Sequence, residues 1–123
     1  MRLCKIVGLA ILGSLLAVSP SLAHHGWGGN SNQEFEITGT LARGVSLAGP
    51  HATMAIMVDG QLWEITLAPP ARTSRAGLTE DVIPMGATVT IHGHRNLDGD
   101  RFEIKTERVI WEGRTFAVYP DRD

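Results

Sequence analysis

Cysteine is almost absent from the chain. The one thiol, Cys4, sits in an apolar leader, so a processed protein would have neither a disulfide nor a thiolate ligand. Other chemistry-bearing patterns are missing too. There is no Gly-x-Ser-x-Gly elbow, no glycine-rich phosphate loop, and no carboxylate pair in apolar surroundings where two pKa values would separate, which argues against a hydrolase. Basic residues are never clustered: the one run, Arg101, Lys105 and Arg108, is interleaved with Glu103 and Glu107 and reads as a solvated strand face. A polyanion needs clustered positive charge, so nucleic acid is not an expected partner. There is no internal repeat, and no apolar run is long enough to span a bilayer.

The leader itself is informative. Residues 1–23 have a short basic start (Arg2, Lys5), an apolar run from Ile6 to Val18, a helix-breaking Ser19-Pro20, and small residues Ser21 and Ala23 at the positions a signal peptidase reads. With no twin-arginine pair, Sec-type export to the periplasm, or secretion, is expected, and no membrane attachment once the leader is cut. The leader takes two of the eleven basic residues with it, against thirteen acidic ones, so the mature chain is net acidic. Residues 24–123 then suit one compact domain.

Residues 24–34 are rich in Gly, Asn and Ser around Trp27 and show no apolar period, which predicts a flexible arm whose order depends on something gripping it. From Phe35 to Leu41 the pattern alternates, with Phe35, Ile37 and Leu41 on one face, and Gly39 available for a bend. Arg43 to Pro50 reads as a loop. Ala52–Val58 and Gln61–Leu67 flank Asp59-Gly60, the dipeptide best suited to a type I′ turn, and a two-residue turn sets Ile56 opposite Trp63 and Met54 opposite Ile65. Pro69-Pro70 ends that strand. Residues 71–76, with Gly77 behind them, read as one or two helical turns or as coil.

Thr88–His94 alternates again, with Val89 and Ile91 on one side and Thr88, Thr90, His92 and His94 on the other. Asn96–Asp100 is a hairpin loop. Along Phe102–Trp111 the apolar phase switches from Phe102 and Ile104 to Val109 and Trp111, which predicts a bulge near Thr106–Arg108. Arg114–Tyr119 is a short last strand. These elements predict an all-β domain over residues 35–120, a small five- or six-stranded OB-like barrel with at most one short helix between strands three and four; a small open sandwich is the runner-up.

With those residues in hand, the chain resembles a family of small exported bacterial proteins of unknown function. The resemblance rests on Ala23-His24-His25, Gly39-Thr40, Gly49-Pro50-His51, Asp59-Gly60 with Trp63, Arg75-Ala76-Gly77, the run Gly86 to Gly93, and Asp98-Gly99. Gly49 stands where asparagine is more usual. The resemblance implies export, a single small β domain, and interest in His24, His25 and His51.

The histidines are the candidate ligands. Cleavage after Ala23 would give His24 a free α-amine beside its imidazole, and a third nitrogen from His25, His51, His92 or His94 would complete a set suited to Cu(II). His92 and His94 lie two apart on one strand face, about 7 Å apart at Cα. The plainer readings are a mobile terminus for His24 and His25, a strand cap for His51, and a hydrated exterior for His92 and His94. The expected function is an exported binding module for an unknown small ligand or protein partner, with copper as the candidate cofactor. Its rivals are a structural or protein-interaction subunit with incidental histidines, and a copper-dependent oxidoreductase accessory.

Overall fold

The structure, a computed structural model, describes residues 27–122; the leader, His24 and His25 lie outside the described residues. Six strands follow in order: β1 (Phe35–Ser46), β2 (Thr53–Val58), β3 (Gln61–Thr66), β4 (Thr88–Arg95), β5 (Glu103–Trp111) and β6 (Arg114–Ala117), with one helix, α1 (Pro70–Arg75), between β3 and β4. In the sheet the strands run β3-β2-β1-β4-β5-β6, and a parallel pairing of β3 with β5 joins Glu64 to Glu103 and Thr66 to Lys105. That seam closes β1 to β5 into a five-stranded barrel, leaving β6 as an extra strand hung on β5. The expected barrel is present and the open sandwich is not. Among the described residues no helix is long and apolar enough to cross a membrane.

Asp59 and Gly60 both take positive φ, 47° and 79°, so the β2–β3 hairpin has the register the turn dictates: Ile56 opposite Trp63 and Met54 opposite Ile65. All four of these side chains are buried. Glu112-Gly113 repeats the device between β5 and β6. Proline at the first helical position, where an amide hydrogen is not needed, starts α1, and Gly77 at φ 92° follows its end. The Thr73 hydroxyl, fully buried, donates to the Ala68 carbonyl at 2.9 Å and ties the helix to the end of β3.

The first strand runs further than the alternation suggested. Its first half pairs with β4, from Phe35 opposite Gly93 to Thr40 opposite Thr88, and its second half pairs with β2 as far as Ser46 opposite Thr53. Two register shifts, between Leu41 and Arg43 and between Arg43 and Ser46, bend the strand around the barrel and scramble the alternation there. Gly39 lies in a regular stretch. Its role is close approach, since a Cβ there would meet the Met57 carbonyl oxygen at 2.5 Å.

The phase switch in β5 is a bulge, as its pattern required. His92 pairs with Arg108 and Gly93 pairs with Thr106, so Glu107 is the extra residue. Ile104 before it and Val109 after it both reach the core, with Val89, Ile91 and Phe116.

Candidate metal-ligating cleft

The outer face of β4 and β5 is the part of the surface where chemistry collects. Alternation puts His92 and His94 of β4 outside the barrel, beside Lys105 and Glu107 of β5. The middle of this face is not solvated, contrary to what the interleaved charges suggested: Lys105 is only 6% exposed and Glu107 only 1%, whereas Arg101 is exposed and Glu103 and Arg108 are partly so. Two flanking segments cover it. Residues 27–33 lie along the end of β4, where Ser31 donates its amide to the Arg95 carbonyl (2.8 Å) and Gly29 accepts from the Leu97 amide (2.9 Å). The Asn30 side chain adds a bond to the His94 carbonyl at 3.0 Å. On the other side, the backbone carbonyl of the bulged Glu107 accepts from the amides of Val118 and Tyr119, bringing the C-terminal segment over the same face.

Trp27 fastens the two covers together. Its ring meets His94 edge-on at 5.5 Å and Tyr119 at 5.3 Å, with the Arg122 guanidinium 4.0 Å and the Lys105 ammonium 5.4 Å from its centre. Between the covers lies a cleft of about 370 Å³ lined by Asn32, Glu34, His94, Glu107, Asp121 and Arg122.

Three ligating side chains converge there. One atom each of Glu34, His94 and Glu107 lies within 4.8 Å of the other two, a spacing that one ion can bridge. Glu34 comes from the residue before β1, His94 from β4 and Glu107 from the bulge. His94 Nδ1 is 2.8 Å from the Ser31 carbonyl oxygen, which can only accept, so Nδ1 carries a hydrogen. The other ring nitrogen, Nε2, faces Glu107 Oε1 in close contact and Glu34 Oε1 at 3.3 Å. In a neutral ring that nitrogen presents a lone pair to two carboxylates, so something positive must stand between them, either a proton or a metal ion.

Glu107 is the more demanding carboxylate. Among the described residues its Oε2 has no hydrogen-bond partner, and the Arg108 guanidinium stands 3.9 Å away. Burial pushes the Glu107 carboxyl up; the His94 ring pulls the other way, and the neighbouring Glu34 raises it again.

The remaining histidines have other surroundings. His92 faces Glu36 at 3.7 Å on the same strand face, one pair further along. His51 lies beside β5, with its Nε2 3.4 Å from the Lys105 ammonium. Burial and that ammonium both lower the His51 pKa, so it accepts a hydrogen from Lys105 as a neutral ring. Lys105 is itself pushed down by burial and by Arg122. Among the described residues His94 shares a three-residue ligand cluster, and His51 and His92 do not enter it.

Sequence reasoning passed over Glu34 and Glu107. The one available signal was the bulge, since an extra residue re-aims a side chain, and here that residue is acidic. Trp63, which the hairpin register sets opposite Ile56, is buried between Phe35 (5.7 Å) and Phe102 (5.2 Å), with Arg95 over its ring.

No curated protein matches the chain. Among solved structures, apo TiaS, a tRNAIle2 agmatidine synthetase, is 13% identical with a TM-score of 0.48, over 63% of this chain and 17% of its own. A ZRD-deleted mutant of TiaS in complex with agmatine is 12% identical with a TM-score of 0.51, over 70% of this chain and 26% of its own. The chain thus spans about a quarter or less of those proteins, and at 12% identity the second marks a shared fold alone. A family model matches residues 13–105, and the chain belongs to that family, DUF6152, a family of unknown function.

Proposed function

We propose that this protein is an exported periplasmic binding module, a small β-barrel that holds its ligand in the cleft between the 27–34 segment, the C-terminal segment and the outer face of β4–β5. One observation carries the reading: Glu107 lines that cleft at 1% exposure with one carboxylate oxygen that has no hydrogen-bond partner among the described residues. A buried polar atom left unmet costs on the order of 1–3 kcal/mol, more if charged, and a fold that keeps one has a use for it. The leader supports export.

A second reading, copper held at the mature terminus by His24 and His25, is favoured by the position of Trp27 on the His94 ring.

The test is native mass spectrometry of protein recovered from the periplasm of an expressing bacterium, beside a His94→Ala variant. A bound mass on the first, lost from the second, is expected. Bare protein in both cases, or a mass retained by the variant, refutes the cleft as the binding site. Mature protein carrying one extra residue ahead of His24 isolates the terminal chelate: Cu(II) affinity equal to that of the authentic terminus removes the α-amine from it.

A further inference from the structure

We infer that the ligand of this cleft is a single first-row divalent metal ion of the zinc type, held by His94 Nε2 and the carboxylates of Glu34 and Glu107; the inference rests on the cleft being the binding site. The His94 ring is already arranged as a metal ligand. Its Nδ1–H is committed to the Ser31 carbonyl, the outer-shell bond that fixes the tautomer and aims Nε2. Nε2 is turned toward two carboxylate oxygens rather than toward a hydrogen-bond donor.

A proton is the competing occupant, and it satisfies the site poorly. One hydrogen on Nε2 is shared between Glu34 and Glu107 and leaves Glu107 Oε2, 1% exposed as a residue, with no hydrogen-bond donor among the described residues and only the Arg108 guanidinium at 3.9 Å opposite it. A divalent ion takes the Nε2 lone pair, neutralises both carboxylates, and can use the second Glu107 oxygen. Three protein ligands also leave coordination positions for water or for a small donor in the cleft. The donor types select the metal class: one imidazole with two carboxylates suits zinc and its neighbours in the series, and the absence of a thiolate disfavours Cu(I). Calcium and magnesium prefer all-oxygen sites with more ligands than are gathered here.

The ligands also come from two separate parts of the fold. His94 and Glu107 belong to the barrel, whereas Glu34 and the Ser31 carbonyl belong to the segment laid across it. An ion shared between them pins that segment. Removing the ion leaves two carboxylates facing each other across the joint.

The experiment is calorimetric titration of mature protein, first stripped with a chelator, with Zn(II). Co(II) absorption serves as a second probe, and hydrogen exchange at Ser31 is followed throughout. One Zn(II) per chain is expected, with affinity falling at least about 10–100-fold in Glu34→Gln and in Glu107→Gln, and becoming unmeasurable in His94→Ala. Circular dichroism verifies that each variant is folded, and Glu36→Gln, one step along the same strand face, is expected to bind like wild type. Exchange at the Ser31 amide slows on Zn(II) binding in wild type and not in Glu34→Gln. Equal Zn(II) affinity in wild type and folded His94→Ala, or no binding in wild type, overturns the inference and leaves an imidazolium between two carboxylates as the state of the site. If native mass spectrometry meanwhile finds an organic mass dependent on His94, the metal is refuted and the binding cleft stands. Binding lost only when His24 is preceded by an extra residue assigns the metal to the terminus instead.

Discussion

Replacing Gly93 by alanine tests how the cleft is built. At Gly93 a Cβ would stand 2.2 Å from the Lys105 carbonyl oxygen, 2.9 Å from Thr106 Cα and 3.0 Å from Ile104 Cγ2. Two of those atoms are backbone of a hydrogen-bonded strand, which cannot swing aside as a side chain would. Restoring ordinary contact requires β5 to retreat by on the order of 1 Å just before the bulge that carries Glu107. Overpacking costs about 1–3 kcal/mol, and a backbone obstacle belongs at the upper end, about 3 kcal/mol. At roughly 4–8 °C per kcal/mol for a domain of this size, Tm falls by about 12–24 °C.

The control is Gly39→Ala, where the clash is of the same kind (2.5 Å to the Met57 carbonyl oxygen) but falls between β1 and β2, away from the cleft. Both variants should lose comparable stability in urea or thermal melts. Below the melting range, only Gly93→Ala should also lose Zn(II) affinity, because only there is the Glu107 bulge displaced. A Gly93→Ala protein melting within about 2 °C of wild type would refute the close β4–β5 approach, and unchanged Zn(II) affinity would refute the link between that approach and the seating of Glu107.

Zn(II) at a hundredfold excess over Kd should stabilise the folded state by about 2.7 kcal/mol and raise Tm by roughly 11–22 °C, with no rise in His94→Ala; differential scanning fluorimetry reads both. Phe116→Ala removes a ring that is 2% exposed and anchors β6 beside Val109, so equilibrium unfolding should show a loss of about 3–5 kcal/mol. Arg43 and Glu64 form a two-pronged pair (2.8 and 2.5 Å) with roughly half-exposed side chains, so Arg43→Ala should cost no more than about 1 kcal/mol, and less in high salt. The bond from Arg43 lowers the Glu64 pKa below 4.5, so that contribution is present above pH 4.5 and fades as pH falls through the lowered value; urea melts across that range detect it. His51, whose pKa is lowered below 6.5 by burial and by Lys105, acts in the same direction at higher pH: stability drops as pH falls below 6.5 through the lowered value, and His51→Gln should flatten that drop in the same melts.

What was legible in the sequence was local. Asp59-Gly60 dictates a turn, the turn dictates a register, and the apolar stripe of Ile56, Met54, Trp63 and Ile65 agrees with it. Pro69-Pro70 and Gly77 bracket the helix, and the phase switch in β5 announces its bulge. The length of β1 was hidden because two register shifts break the period that would have extended it past Leu41. The cleft was hidden for a different reason. Periodicity separates inward from outward side chains, and Glu107, Lys105 and His94 do point outward; it is silent on whether something else lies over the outside. The cover is built from a segment of Gly, Asn and Ser with no apolar period, in which Trp27 alone hinted at an attachment. Glu34, just ahead of the first alternating strand, has no neighbour in sequence that reveals its partners 60 and 73 positions later.

The parallel seam between β3 and β5 also governs the order in which the molecule can be assembled. Its partners, Glu64 with Glu103 and Thr66 with Lys105, lie 39 positions apart in the chain, so the last stitch waits until the second of them has emerged. Until then β3 has an open margin on the side where β5 will pair, the sort of edge onto which a second copy can add its own strand. A chain made from one end spends that interval unclosed, and pairing between copies competes with closure for as long as it lasts.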